Sequence, residues 1–206
     1  MNIRIIGEDN FVIKYFKNNR FILIILVITF AVGIFAGVIY YKNATSTEEL
    51  SNYVEKFMDK INVEETKIYN VLKESLLKNT SIILIFWLLG ASVIGIPILL
   101  FYVLYKGFSI SFTISTIIST FGFVKGNVIS IVMLFFQNVI STAVIFVAMS
   151  SAVKLAINIL RRKKDMKIEL LRHTIMCLLC MVGMVLASIV EAIANCKMLG
   201  MVLDRI

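Results

Sequence analysis

From Phe21 to Tyr41 the chain runs for about 20 residues without a charge, long enough as a helix to cross a ~30 Å hydrocarbon layer. A secretory signal has an apolar core of only ~7–15 residues followed by a small-residue cleavage site. The run here is longer, so it reads as an uncleaved first span. Arg4, Lys14, Lys17 and Arg20 precede it and hold its start in the cytoplasm. Composition agrees with lipid as the main solvent. Mean hydropathy is +0.91 and 59% of residues are apolar, against roughly 45–50% for a soluble domain. The net charge of +8 is carried beside the apolar runs, not on a soluble face, so no nucleic-acid partner is expected.

Four more apolar runs follow, at about 81–105, 108–124, 127–149 and 173–194. The first two meet at Lys106-Gly107-Phe108-Ser109, which reads as a tight polar joint between two spans. Gly90, Gly95 and Pro97 lie in the first of the two, and Pro97 is expected to kink it. In the second, Ser109, Thr113, Thr116 and Thr120 form a hydroxyl stripe opposite Ile110, Ile114, Ile117 and Phe121. The stripe is expected to face other helices and the isoleucine side to face lipid. Gly33 and Gly37, four apart in the first run, offer another small-residue face.

The densest basic cluster is in residues 150–172: Lys154, Arg161, Arg162, Lys163, Lys164, Lys167 and Arg172. The positive-inside rule puts it in the cytoplasm. An even number of crossings must then separate it from the N-terminus, so the hydroxyl-rich run spans the membrane and is not re-entrant. The fifth run carries the C-terminus out. The expected fold is all-α: one polytopic membrane domain over residues 1–206, about five transmembrane helices, N-in and C-out.

Residues 42–80 form the one long polar segment, and its charges nearly cancel. Thr45, Ser46 and Thr47 before Glu48 and Glu49 make a helix start with a capping box. Tyr53, Phe57 and Ile61 then recur at helical spacing. This is an outer amphipathic helix whose apolar stripe must be covered by the bilayer surface, the spans or another protein.

Polar groups at membrane depth are functional candidates by default. Gln137 and Asn138 fall near the middle of the fourth span and read as interhelical glue. Glu191 lies towards the outer end of the fifth, and His173 at its cytoplasmic edge. Cys177 and Cys180 have a redox-like spacing but sit in an apolar helix without a companion pair, so they read as packing residues; Cys196 is a lone thiol. A metal hydrolase needs clustered ligands, an intramembrane aspartyl site needs two acids at depth, and a Ser/His pair would use His173 at the wrong depth. No catalytic, cofactor or metal residues are expected.

The ordered stretch Leu89-Gly90-Ala91-Ser92-Val93-Ile94-Gly95-Ile96-Pro97, then Tyr105-Lys106-Gly107-Phe108-Ser109, then Ser111-Phe112-Thr113 resembles the stage II sporulation protein M family. The outer loop after the first span and the Gln137-Asn138 pair fit as well, over about Phe11 to Leu203. One departure is Phe136, where that family's pattern leads us to expect a proline. The resemblance implies a non-enzymatic scaffold in the cell membrane. It would assemble and localise the peptidoglycan hydrolases stage II sporulation proteins D and P at the sporulation septum during engulfment. Tyr53, Phe57 and Ile61 are the expected partner contacts, and self-association is left open. The alternative is a small transporter or channel component with a polar path along spans two to four.

Overall fold

A computed structural model describes residues 11–43, 52, 56, 68–161 and 165–193. Among them there are helices and no strands: α1 (Phe11–Asn43), α2 (Ile68–Gly90), α3 (Gly95–Phe121), α4 (Phe123–Ser130), α5 (Phe136–Leu160) and α6 (Met166–Ile193). Ile131–Phe135, between α4 and α5, is wound as a π-helix. Four stretches are long and apolar enough to cross a membrane: Asn19–Asn43, Gly95–Phe121, Asn138–Leu160 and Met166–Ile193. In α2, Lys73, Glu74 and Lys78 interrupt the apolar run.

Cross-helix contacts give the direction of each helix. Phe30 meets Gly107, Gly37 meets Ser111, and Tyr40 and Tyr41 meet Phe112, so α1 and α3 run parallel. Asn79 bonds Ser188 while Gly90 meets His173, so α2 runs antiparallel to α6. Val144 meets Gly183 and Ser151 meets His173, which makes α5 antiparallel to α6 as well. The chain therefore runs up, down, up, down and up, five passes in all. The α2–α3 turn lies at the same end as the last residue of α5, Leu160, and the first of α6, Met166.

The joint between the second and third passes is not where the sequence suggests. α3 continues unbroken through Lys106-Gly107-Phe108-Ser109, and the chain turns at Ala91–Ile94. Short-range bonds close that turn: Ser92 N–H to the Leu89 carbonyl at 3.0 Å and Gly95 N–H to the Ser92 carbonyl at 3.1 Å. The expected spans 81–105 and 108–124 thus become α2 and α3, broken at 91–94. Pro97 does not kink a span. It is the third residue of α3, in a first turn whose N–H groups have no helical acceptor anyway. The expected cytoplasmic loop 150–172 contracts too, since α5 runs to Leu160 and α6 begins at Met166.

Gly107 is continuous helix because it is a contact and not a corner. A Cβ there would strike the Phe30 carbonyl oxygen and lie 3.2 Å from the Ile34 nitrogen. On α1, Gly33 and Gly37 are equally close to the backbone of Leu104 and Phe108. Three missing side chains thus let two backbones touch. Gly122, with φ at +79°, separates α3 from α4, and α4 folds back so that Gly126 lies on Ile117 and Ile118. That buries Ile117, on the side expected to face lipid.

All five passes contribute to the core: Leu26 from α1, Ile83 and Phe86 from α2, Leu99 and Val103 from α3, Ile145 and Met149 from α5, and Cys177, Cys180 and Met184 from α6. Tyr53, Phe57, Ile61 and Cys196 lie outside the described residues, as does the side chain of Gln137.

Candidate functional site

Directly beyond the core, at the end away from the α2–α3 turn, the bundle turns polar. Asn79 stands one helical turn past Ile83 on α2, and Ser188 one turn past Met184 on α6. The Asn79 amide donates to Ser188 Oγ at 2.8 Å and to Ser75 Oγ at 3.2 Å, and Ser188 donates to the Met184 carbonyl at 3.0 Å. Ser75 Oγ donates to the Glu191 carboxylate. Asn79, Ser75 and Ser188 are buried and Glu191 is half-buried. The Asn79 and Ser75 contacts were not legible in the sequence, because both residues read there as part of the outer loop.

Lys106 completes this layer. Seven residues after Leu99 and three after Val103, it shares their inward helical face. It is half-buried. Its depth follows from its neighbour: Gly107 packs on Phe30, midway between Phe21 and Tyr41. Lys78 is eleven residues before Leu89 and Lys106 eleven after Gly95, which puts both about 16 Å from the turn. Lys106 is therefore a cation well inside the membrane and not a residue of an interfacial joint.

A second polar group lies beneath the core, at the end where α5 stops and α6 starts. His173 is 1% exposed, with Ser151 Oγ 3.0 Å from Nδ1 and Cys177 Sγ 3.6 Å from Nε2. Gly90 is the close neighbour on α2, where a Cβ would lie 2.6 Å from His173 Nε2. Thr174 accepts from Trp87 Nε1 at 3.0 Å. His173 ties α5 to α6 over Gly90. The Ser151–His173 pair is brought together, but no carboxylate hydrogen-bonds the ring among the described residues. Nor do three His, Cys, Asp or Glu side chains converge there.

The remaining candidates serve the backbone. Thr113, Thr116 and Thr120 donate to carbonyls four residues back, at 2.8–2.9 Å, the first of them to Ser109. Gly95 packs on Leu89 across the turn. Asn138 bonds its own helix, donating to the Leu134 carbonyl at 2.8 Å, instead of bridging two helices. That carbonyl lies in the π-helical stretch, where the usual i→i−4 pairing is displaced. The widening occurs just before Phe136-Gln137-Asn138 without any proline. Beside it, Phe30, Ile34, Ile110, Ile114 and Asn138 line a groove of about 480 Å³.

Five helical passes, an apolar core and polar layers on either side of it define a polytopic all-helical membrane protein. Residues 25–194 match the family model for stage II sporulation protein M, and the chain belongs to that family. It is a sporulation membrane protein. No curated protein and no solved structure matches it.

Proposed function

We infer that the protein is a non-enzymatic platform that gathers stage II sporulation proteins D and P, cell-wall hydrolases, at the sporulation septum during engulfment. Family membership supports the setting. One observation carries the choice of a platform over a conduit: the apolar core is continuous across the bundle. Leu99, Val103, Ile83, Met184, Ile145 and Met149 are all about 1% exposed or less, and they separate the Asn79–Glu191 layer from the Ser151–His173 layer. A polar path along α2, α3 and α5 stops at that plug. The outward faces of α1 and α6 meanwhile stay uncovered, with Phe35, Ile28, Val182 and Leu179 exposed as surfaces for lipid or another span.

Hydrolases tethered to one platform meet their substrate and each other at raised effective concentration, without new contacts in either active site. The test is a detergent pull-down of the full chain from sporulating cells, run beside flux measurements on liposomes that hold the chain alone. Recovery of both hydrolases with no flux is expected. Flux of solute without hydrolase recovery would replace the platform by a transporter.

A further inference from the structure

Between α5 and α6, at the end where the first stops and the second starts, lies a cavity of about 120 Å³ lined by Ser151, Lys154, Glu169, Arg172 and His173. The positive-inside rule puts this end in the cytoplasm. Glu169 bonds Arg172 through Nη1 alone, at 3.1 and 3.3 Å, which leaves Nε and Nη2 to donate elsewhere. Lys154 is half-buried, and no carboxylate pairs with it among the described residues. Ser151 Oγ lies 3.0 Å from His173 Nδ1. With the ring proton on Nδ1, the serine accepts that bond and keeps its own hydroxyl proton for a ligand. We propose that this cavity binds the phosphate group of an anionic phospholipid from the cytoplasmic leaflet.

Charge, size and level select that occupant. Two cations and one carboxylate line the cavity, so its net charge is positive. The acids near it do not reverse the sign. Besides Glu169, Asp165 lies at this end, and Glu8 and Asp9 precede α1 in sequence. Against these four, Lys154 and Arg172 are joined by Lys14, Lys17 and Arg20 on α1 and by Arg161 and Lys167. In sequence, Arg162, Lys163 and Lys164 add three more cations and no acid. At ~30 Å³ per water the cavity has room for about four waters, the space of one phosphate with its four oxygens. Lys154 is six residues before Leu160 and Arg172 six after Met166, so both lie about 9 Å from the ends of their helices. Trp87, the single tryptophan of the chain, bonds Thr174, two residues on from Arg172. Tryptophan rings settle at headgroup level, which is where a lipid phosphate is held. Basic pockets between spans on the cytoplasmic side take lipid headgroups by this chemistry. Leu155 and Met176, also in the cavity wall, suit the glycerol and acyl carbons that accompany such a phosphate.

Binding of this kind needs neither hydrolase, so its failure would leave the platform reading untouched. The full chain, stripped of lipid in a neutral detergent, is titrated with phosphatidylglycerol or phosphatidylcholine, and bound lipid is counted by native mass spectrometry. Phosphatidylglycerol should bind roughly tenfold tighter or better, and millimolar inorganic phosphate should not displace it. Lys154→Gln with Arg172→Gln should bring its affinity down to that of phosphatidylcholine. Arg161→Gln with Lys167→Gln, which removes the same charge outside the cavity, should cost far less. Equal affinity for the two lipids would overturn the site. So would an equal loss in the two double variants, since the attraction would then belong to the whole basic surface. Displacement by inorganic phosphate would assign the cavity to the free ion and overturn the lipid. Because the two lipids are compared on the unaltered chain, that result stands even if a variant folds poorly.

Discussion

Replacing Gly107 by leucine should pull the first span away from the third. The Gly107 Cα lies so close to α1 that even one added carbon meets the Phe30 carbonyl oxygen, with the Phe30 ring edge and the Ile34 nitrogen both at 3.2 Å. Two of those three atoms are backbone, so no rotamer change relieves the clash and α1 must move bodily. Overpacking of this kind costs about 1–3 kcal/mol. The displacement also loosens the parallel seam along Gly33–Leu104, Gly37–Ser111 and Tyr40–Phe108, whose rings lie 5.6 Å apart. A net loss of about 2 kcal/mol corresponds to a midpoint roughly 4–8 °C lower for a chain of this size. Thermal unfolding in detergent micelles gives the magnitude. A photoreactive phenylalanine analogue at Tyr40 gives the location, since it should crosslink to Phe108 or Phe112 in the parent and lose that product in Gly107→Leu. An unchanged midpoint with the crosslink retained would mean that the spans do not touch at Gly107.

Asn79→Ala removes the amide bridge from α2 to α6 but leaves Ser188 bonded to its own helix. The cost should stay near that of one interhelical bond, about 1 kcal/mol, read as a midpoint roughly 2–4 °C lower; no shift would remove Asn79 from the list of fastenings. Phe57→Asp with Ile61→Asp should abolish co-purification of the hydrolases without lowering the amount of the chain in the membrane. Unchanged recovery would take the outer segment out of the proposed interface.

Much of this architecture is written in the hydropathy of the chain. The Phe21–Tyr41 run and the Arg161–Lys164 cluster fix five passes and their alternation, and the helices have that order. The turn was misplaced because Lys106-Gly107 looks like a polar corner when depth is unknown. Its glycine instead marks a contact with α1, a residue more than seventy positions away, which no local pattern reveals. The correct turn did have a local signal: Gly90, Gly95 and a proline two residues after the second glycine, in the first turn of a helix. The burial of His173 was not legible for a related reason. Its burial comes from Ser151 on α5 and Gly90 on α2, supplied by packing and not by its neighbours in sequence. The Thr113–Thr120 hydroxyls bond to the carbonyls four residues back, a detail that the periodicity of the stripe does not show.

The placement of the α2–α3 turn decides the depth of Lys106 and the level of the polar layer beside it. Cysteines introduced singly at Ala91 and at Ser109 can be exposed to a membrane-impermeant maleimide in inside-out and right-side-out vesicles. The cysteine at 91 should label from the cytoplasmic side alone, and the one at 109 from neither side. Ready labelling at 109 would restore a joint at Lys106–Ser109 and contradict the five-pass arrangement described for α2 and α3.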